Sequence, residues 1–151
     1  MNRRETLFAA TAAALGLAPH AAVARENRPM RNRPFDPTSV SYAGACEVIA
    51  GSRLLFISGQ VPERPDGSVP EDFTSQCRLT WANIERQLHN AGMTLDHLVK
   101  VTTFLSDRRY RAENSTVRRE VLKERTPAIT IIIANIYDEA WLLEIEAIAA
   151  A

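Results

Sequence analysis

The stretch LEIEAIA, residues 143–149, alternates charged and aliphatic side chains with the two-residue period of a β-strand. Glu144 and Glu146 therefore share one face of this strand, and the aliphatic residues between and beside them share the other. An apolar face needs a covering layer, because buried aliphatic surface is what drives the packing of a sheet. The two carboxylates, on the opposite face, must meet solvent, a ligand or another subunit.

Two upstream segments predict the covering layer. Apolar residues between 73 and 91 recur every three or four positions, which is the period of one helix face. This stripe consists of Phe73, Cys77, Trp81, Ile84, Leu88 and Ala91. Asp72 can cap the start of the helix and Gly92 can end it. A second helix is predicted over about residues 107–123, and its inward face would hold Tyr110, Asn114, Val117 and Val121.

The remaining apolar segments have strand character, because β-branched and aliphatic residues dominate them. They are residues 46–49, 53–58, 98–105, 129–134 and 141–149. In chain order the elements predict an α+β fold with two helices on one face of a sheet. Aliphatic residues also occur on the uncovered face, so we expect a second copy of the chain to cover it.

The first 24 residues have the features of an export signal. Arg3 and Arg4 precede an alanine-rich apolar run, which ends at a small-residue cleavage pattern. The paired arginines favour a twin-arginine signal, with a general secretory signal or an N-terminal helix as the alternatives. The apolar run is shorter than the roughly 20 residues that span a bilayer, so we expect no membrane anchor and a periplasmic protein. Residues 25–40 are predicted to be a flexible linker before one domain, residues 41–151.

The composition argues against several kinds of partner. The chain has 18 basic and 18 acidic residues, so it lacks the excess positive charge that nucleic-acid or anionic-membrane binding uses. It has no glycine-rich phosphate loop and no metal-ligand spacing, and we expect neither a metal nor another cofactor.

Cys77, on the helix stripe, is predicted to be a buried thiol. Whether it pairs with Cys46 is left open.

Several polar residues stand where a site could form. Gly59, between Ser58 and Gln60 at the end of a predicted strand, would let a ligand approach the backbone closely, unless the segment is an ordinary turn. Asn114, on a buried helix face, must find hydrogen-bond partners in a loop or in a pocket. The carboxylates of the last strand either face solvent or line the same site.

Together these segments resemble the RidA/YjgF family. The resemblance is carried by LLFISGQVP (54–62), LVKVTTFLSD (98–107), TPA (126–128) and the LEIEAIA strand, and it covers about residues 42–149. It implies a fold like that of a small bacterial chorismate mutase, assembled as a homotrimer with small-molecule ligand clefts between subunits. It also implies cofactor-free hydrolysis of 2-imino or enamino acids to 2-keto acids and ammonia.

The resemblance also implies roles for individual residues. The glutamate that positions water corresponds to Glu144. The implied substrate-binding positions are Tyr42, Ser58, Gly59, Asn114, Ile129 and Ile131. Tyr42 stands further from Ser58 in the sequence than is usual in the family. Ile131 would contribute only backbone groups.

Ile129 is the departure from the family pattern, because it stands where relatives place an arginine that binds the substrate carboxylate. Each lost charge-assisted hydrogen bond is worth about 1.5–3 kcal/mol. We therefore expect a cleft that disfavours anions, in an exported hydrolase of a small imine, enamine or related C–N substrate. The alternatives are a non-catalytic small-molecule-binding trimer, and 2-imino acid deamination with a substitute arginine. The substitutes considered are Arg53, Arg64 and Arg125.

Overall fold

The computed structural model describes residues 31–49 and 53–151, so the predicted export signal lies outside the described residues. The elements are β1 (Arg31–Phe35), β2 (Ala45–Ile49), β3 (Leu54–Gln60), α1 (Phe73–Asn90), β4 (Leu98–Leu105), α2 (Arg111–Leu122), β5 (Ala128–Ile133) and β6 (Leu143–Ala150). Short 3₁₀ turns precede β4 and α2. Within the described ranges, no helix combines the length and apolar character needed to cross a membrane.

The main sheet has four strands in the order β3-β6-β4-β5. Strand β6 runs antiparallel to both of its neighbours, and β4 and β5 pair in parallel through the α2 crossover. Both helices lie on one face of this sheet and contact each other. The predicted α+β fold, with two helices on one face, is confirmed.

The core lies between the helices and the aliphatic face of β6. Leu143 and Ile145 have no exposed surface, and they pack against the stripe of α1. The predicted ends of α1 are also confirmed. The Asp72 carboxylate accepts a hydrogen bond from the Ser75 backbone N–H (2.8 Å), and Gly92 adopts the positive φ (69°) typical of the residue that follows a helix.

The opposite face of the sheet, called the open face below, carries large apolar side chains. Leu54 is 61% exposed, Phe56 70% and Ile132 44%. Glu144 and Glu146 project to the same face, because they alternate along β6 with the buried residues. The predicted uncovered apolar face is therefore present in a single chain.

A β-bulge interrupts the pairing of β3 with β6. Ile57 pairs with Ala147, and Gln60 pairs with Ile145, so β3 holds one more residue than β6 between the two pairs. Ile57 and Gln60 consequently both face the helices. Ser58 and Gly59 lie between them in the bulge.

The prediction of a flexible linker over residues 25–40 is wrong from Arg31 onward. Residues 31–35 form β1, which pairs antiparallel with β2 in a separate two-stranded sheet. Pro34 is compatible with β1 because an edge strand does not need a donor at every position. The Asn32 side-chain amide donates to the backbone oxygens of Asp96 (3.4 Å) and Leu98 (3.5 Å), which attaches this hairpin to the domain.

The two cysteines are free in this structure. Cys77 is fully buried, as predicted, and burial raises the pKa of its thiol to about 12. The thiol therefore stays protonated at neutral pH. Cys46, on β2, is half-buried, and burial also raises the pKa of its thiol.

Candidate functional site

The predicted site residues divide between the two faces of the sheet. Ile129 pairs with Val101, which pairs with Ala147, and this row points toward the helices. Glu144 pairs with Phe104 and points to the open face. Residues that pair across a ladder share a face, so Ile129 and Glu144 of one chain cannot adjoin the same ligand. One chain therefore holds two half-sites.

The first half-site, called the helix-side cavity, lies between α2, β5 and the loop before β2. Its volume is about 750 Å³. It is lined by Val40, Tyr42, Leu105, Arg108, Arg111, Asn114, Ser115, Arg118, Arg119, Ile129, Ile131 and Ile133. Four of the six predicted substrate-binding residues are thus brought together. None of the residues lining this cavity, all of them within the described ranges, carries a carboxylate.

A strained loop holds Tyr42 at the cavity. Ser41 has a positive φ (60°) and is buried, and its hydroxyl donates to the backbone oxygen of Lys123 at the end of α2 (2.8 Å). The backbone N–H of Ala43 donates to the oxygen of Pro127 (3.2 Å). A non-glycine residue keeps such a conformation only where its surroundings enforce it. These two bonds explain how Tyr42 reaches the predicted position despite its long sequence distance from β3.

Asn114 is 2% exposed and faces the same cavity. Its side-chain oxygen accepts a weak hydrogen bond from the Cys77 thiol (3.9 Å). Of the two roles that the sequence left open for this residue, the structure places it in the pocket.

Arg118 is the buried cation of the cavity, with 5% of its surface exposed. Its Nη2 donates to the backbone oxygen of Val40 (3.1 Å), whereas its Nε has no hydrogen-bond partner. Burial lowers the pKa of the Arg118 guanidinium, and the neighbouring charge of Arg119 lowers it further. Arginine nevertheless keeps its proton in proteins, so a positive charge faces this cavity.

The expectation that the cleft disfavours anions stays a prediction, but the helix-side cavity is not free of positive charge. Ile129 itself is half-buried and packs on the core, but α2 and the turn before it supply four arginines to the same cavity. The signal that identifies Arg118 is its spacing, because it follows Asn114 by four residues and so shares its helix face. Charged residues on helices are usually solvated, so the apolar pattern by itself does not predict that Arg118 is buried.

The substitutes considered from the sequence lie elsewhere. Arg53 donates to the backbone oxygen of Ala91 (2.7 Å), and Arg64 donates to the Ser68 hydroxyl (3.0 Å). Arg125 pairs with the Asp96 carboxylate (2.6 Å). None of the three lines the helix-side cavity.

The second half-site, called the open-face half-site, is formed by Glu144 and the bulge of β3. A Cβ built on Gly59 would stand 1.6 Å from Glu144 Oε1 and 2.6 Å from its carboxyl carbon. The carboxylate thus occupies the space that any other residue at 59 would fill. The side-chain amide of Gln60 donates a hydrogen bond to the backbone oxygen of Ser58 (3.1 Å), which stabilises the bulge.

The two carboxylates of β6 differ in their surroundings. Glu144 is half-buried against the bulge, whereas Glu146 is exposed and lies near Ser58, Lys100 and Thr102. Lys100 donates to the Thr130 hydroxyl. Only Glu144 is held in a defined niche, which makes it the better candidate for orienting a water molecule.

His89 and His97, the two histidines among the described residues, line neither half-site. His89 is exposed on α1, and His97 accepts a hydrogen bond from the Thr94 backbone N–H (2.9 Å) in a capping box. Across the part of the chain that the structure describes, no group of three or more His, Cys, Asp or Glu residues could hold a metal ion.

Comparisons with known proteins agree with this architecture. Residues 37–151 match the family model described as Endoribonuclease L-PSP. Protein mmf2, mitochondrial, of Schizosaccharomyces pombe is 33% identical over 125 residues, which cover 80% of this chain and 99% of that protein. The crystal structure of Escherichia coli TdcF with bound serine has a TM-score of 0.62 at 27% identity, covering 73% of this chain and 87% of that one.

A Rid-family protein of unknown function from Yersinia pestis, YyfB, shows the same fold, with a TM-score of 0.72 at 23% identity over 81% of this chain and all of that one. The sheet order, the two helices and the matched range define a member of the class of proteins whose family model is described as Endoribonuclease L-PSP. Within this class, the chain belongs to the RidA/YjgF family.

Proposed function

We propose that this protein binds a small molecule in clefts between the subunits of a homotrimer and hydrolyses the carbon–nitrogen bond of an imine or enamine there. The observation that carries the proposal is the separation of the two half-sites, with Glu144 seated against Gly59 on the open face. A complete site forms only where the open face of one subunit meets the β5 edge of another. Exposed Leu54 and Phe56 supply apolar surface for such an interface.

The reaction needs one positioned water molecule. The Glu144 carboxylate would accept a hydrogen bond from this water and take its proton as the oxygen attacks the C=N carbon. Glu144 then delivers this proton to the substrate nitrogen, which gives a carbinolamine. The carbinolamine hydroxyl loses its proton to the nitrogen as the C–N bond breaks, and the products are ammonia and a carbonyl compound. Backbone N–H groups near Gly59 and Ile131 would donate to the charge that develops during the attack. No cofactor enters this balance.

A second candidate is ligand binding without turnover. It is favoured by Ile129, which lines the helix-side cavity with hydrocarbon at the position where the family resemblance implies a carboxylate-binding arginine. TdcF, a similar protein, was solved with bound serine, and occupancy of a cleft by a small molecule does not by itself require chemistry. Such a protein would keep the trimer and the ligand site and would hydrolyse nothing.

A coupled assay separates the two candidates. An amino-acid oxidase would supply a 2-imino acid and an amine oxidase a neutral imine, each trapped as a semicarbazone. A hydrolase lowers semicarbazone formation from at least one of them. Glu144→Gln should lower that rate about a hundredfold or more, which is the usual contribution of a general base. The matched variant Glu146→Gln should keep a rate within about twofold of wild type, because the Glu146 carboxylate is exposed and is not held against the bulge.

No acceleration with either imine, from a protein that is folded and trimeric, would favour the binding-only candidate. Equal losses in Glu144→Gln and Glu146→Gln would contradict the role given to Glu144.

We also propose that the chain is exported, on the strength of Arg3 and Arg4 before the alanine-rich run. Changing both arginines to lysine should leave the precursor in the cytoplasm, as measured by cell fractionation. A variant with Arg25 and Arg28 changed to lysine is the matched control. Unchanged export of the Arg3 and Arg4 variant would exclude the twin-arginine route.

A further inference from the structure

We propose that the helix-side cavity binds the anionic group of a small organic ligand through Arg118, so that α2 supplies the cation that β5 lacks. Arg118 would then determine specificity in the cleft, with the exposed Arg111 assisting at the rim. This proposal rests on the proposed function only in taking the cavity to be part of the ligand cleft.

The first support is the state of the Arg118 side chain. It is buried to 95%, lines the cavity, and has a single hydrogen bond, to the backbone oxygen of Val40. Its buried Nε–H has no partner. A guanidinium has five N–H donors, and donors left unmet in a buried position are costly. An anionic group in the cavity would satisfy the free donors and the charge together.

The second support is the absence of a competing anion among the described residues. The ion pairs there are Arg33–Glu47, Arg78–Glu120, Arg109–Asp107 and Arg125–Asp96. None of them involves the four arginines of the cavity. The rim residues Arg108, Arg111 and Arg119 therefore add to the positive potential around Arg118 and do not neutralise it.

The third support is the shape of the cavity, which indicates the kind of anion. Its apolar wall is formed by Ile129, Ile131 and Ile133, and its volume is about 750 Å³. Asn114 adds a buried polar group beside Arg118. A charged anchor at the inner wall and hydrocarbon along one side suit a small carboxylate with an apolar body. A nucleic-acid backbone would engage exposed arginines and would not need a buried one.

Benzoate and benzamide provide a matched test, because they share a ring and differ in charge. Titration calorimetry of the purified protein should give a benzoate affinity at least about tenfold above that of benzamide. Arg118→Gln should remove at least about tenfold of the benzoate affinity and change that of benzamide less than about twofold. Arg109→Gln removes the same charge from a residue that contacts Asp107 and Tyr110 outside the cavity. It should leave both affinities unchanged.

Circular dichroism and the thermal transition show whether Arg118→Gln folds. If Arg118→Gln does not fold, Arg111→Gln tests the proposal instead, because Arg111 is exposed and its substitution should not disturb the core. Arg111→Gln should weaken benzoate binding about threefold. Equal wild-type affinities for benzoate and benzamide would overturn the proposal, as would an unchanged benzoate affinity in Arg118→Gln. Binding of a short oligoribonucleotide without binding of benzoate would assign the arginines to RNA.

The two proposals can fail separately. A protein that binds benzoate through Arg118 but hydrolyses no imine retains this inference and loses the proposed activity. A protein that hydrolyses a neutral imine through Glu144 but does not bind benzoate retains the activity and loses the anion site.

Discussion

On the helix-covered face of β6, Leu143 and Ile145 have no exposed surface, whereas on the open face Glu144 is half-buried and Glu146 is exposed. Strand β6 thus contributes to two surfaces. The helices of the same chain cover the first, whereas no described residue of a single chain covers the second. Stability within a chain is concentrated on the first face, and the candidate general base, Glu144, is on the second. Substitutions on the two faces should therefore have separable effects.

The largest effect is expected on the helix-covered face. Leu143→Ala should lower the free energy of unfolding by about 2–5 kcal/mol, because it leaves a cavity in a fully packed core. Urea denaturation at several protein concentrations measures this loss. The same truncation on the open face, Leu54→Ala, should instead alter how the transition depends on protein concentration, because 61% of Leu54 is exposed in one chain. If both variants lost a similar free energy of unfolding at every protein concentration, the two faces of β6 would not differ in the way described.

A smaller effect on stability, but a clear one on activity, is expected on the open face. Gly59→Ala would displace the Glu144 carboxylate, because the new Cβ would stand 1.6 Å from Oε1. The end of a glutamate side chain can move away, so the fold should survive while imine hydrolysis falls about a hundredfold. Gly44→Ala is the matched control, since its Cβ would meet no atom closer than 3.6 Å. Full activity of Gly59→Ala in the semicarbazone assay would contradict the role of this niche.

Much of the fold could be predicted from local signals. The α1 stripe, the Asp72 cap and Gly92 located that helix closely, because periodicity and capping depend on neighbouring residues. Strand β1 was not predicted, because its proline and arginines are typical of a linker and its pairing with β2 is a tertiary contact. The β3 bulge was missed for a similar reason, since register depends on the partner strand.

The candidate site was predicted residue by residue but not in its arrangement. The sequence singles out Glu144, Gly59 and Asn114 as unusual, and their roles stay predictions, but only the strand pairing shows that Glu144 and Ile129 point to opposite faces. Arg118 could not be distinguished by composition from the other arginines of α2. Its burial depends on the loop at Val40, which packs over the helix from a distant part of the chain.

The bulge in β3 has a consequence for how this domain tolerates changes of length. Because Ile57 and Gln60 already face the helices on either side of the bulge, deleting Gly59 would leave Ser58 alone opposite Glu146 and join the two halves of β3 in one regular ladder. Ile57 would stay on the helix side and Phe56 on the open face, but the glycine that leaves space for the Glu144 carboxylate would be gone. A single missing codon at this point would therefore alter the open-face half-site and leave the packing of β3 in place, just as an added residue in the loop at Asp66 and Gly67 would only lengthen a turn.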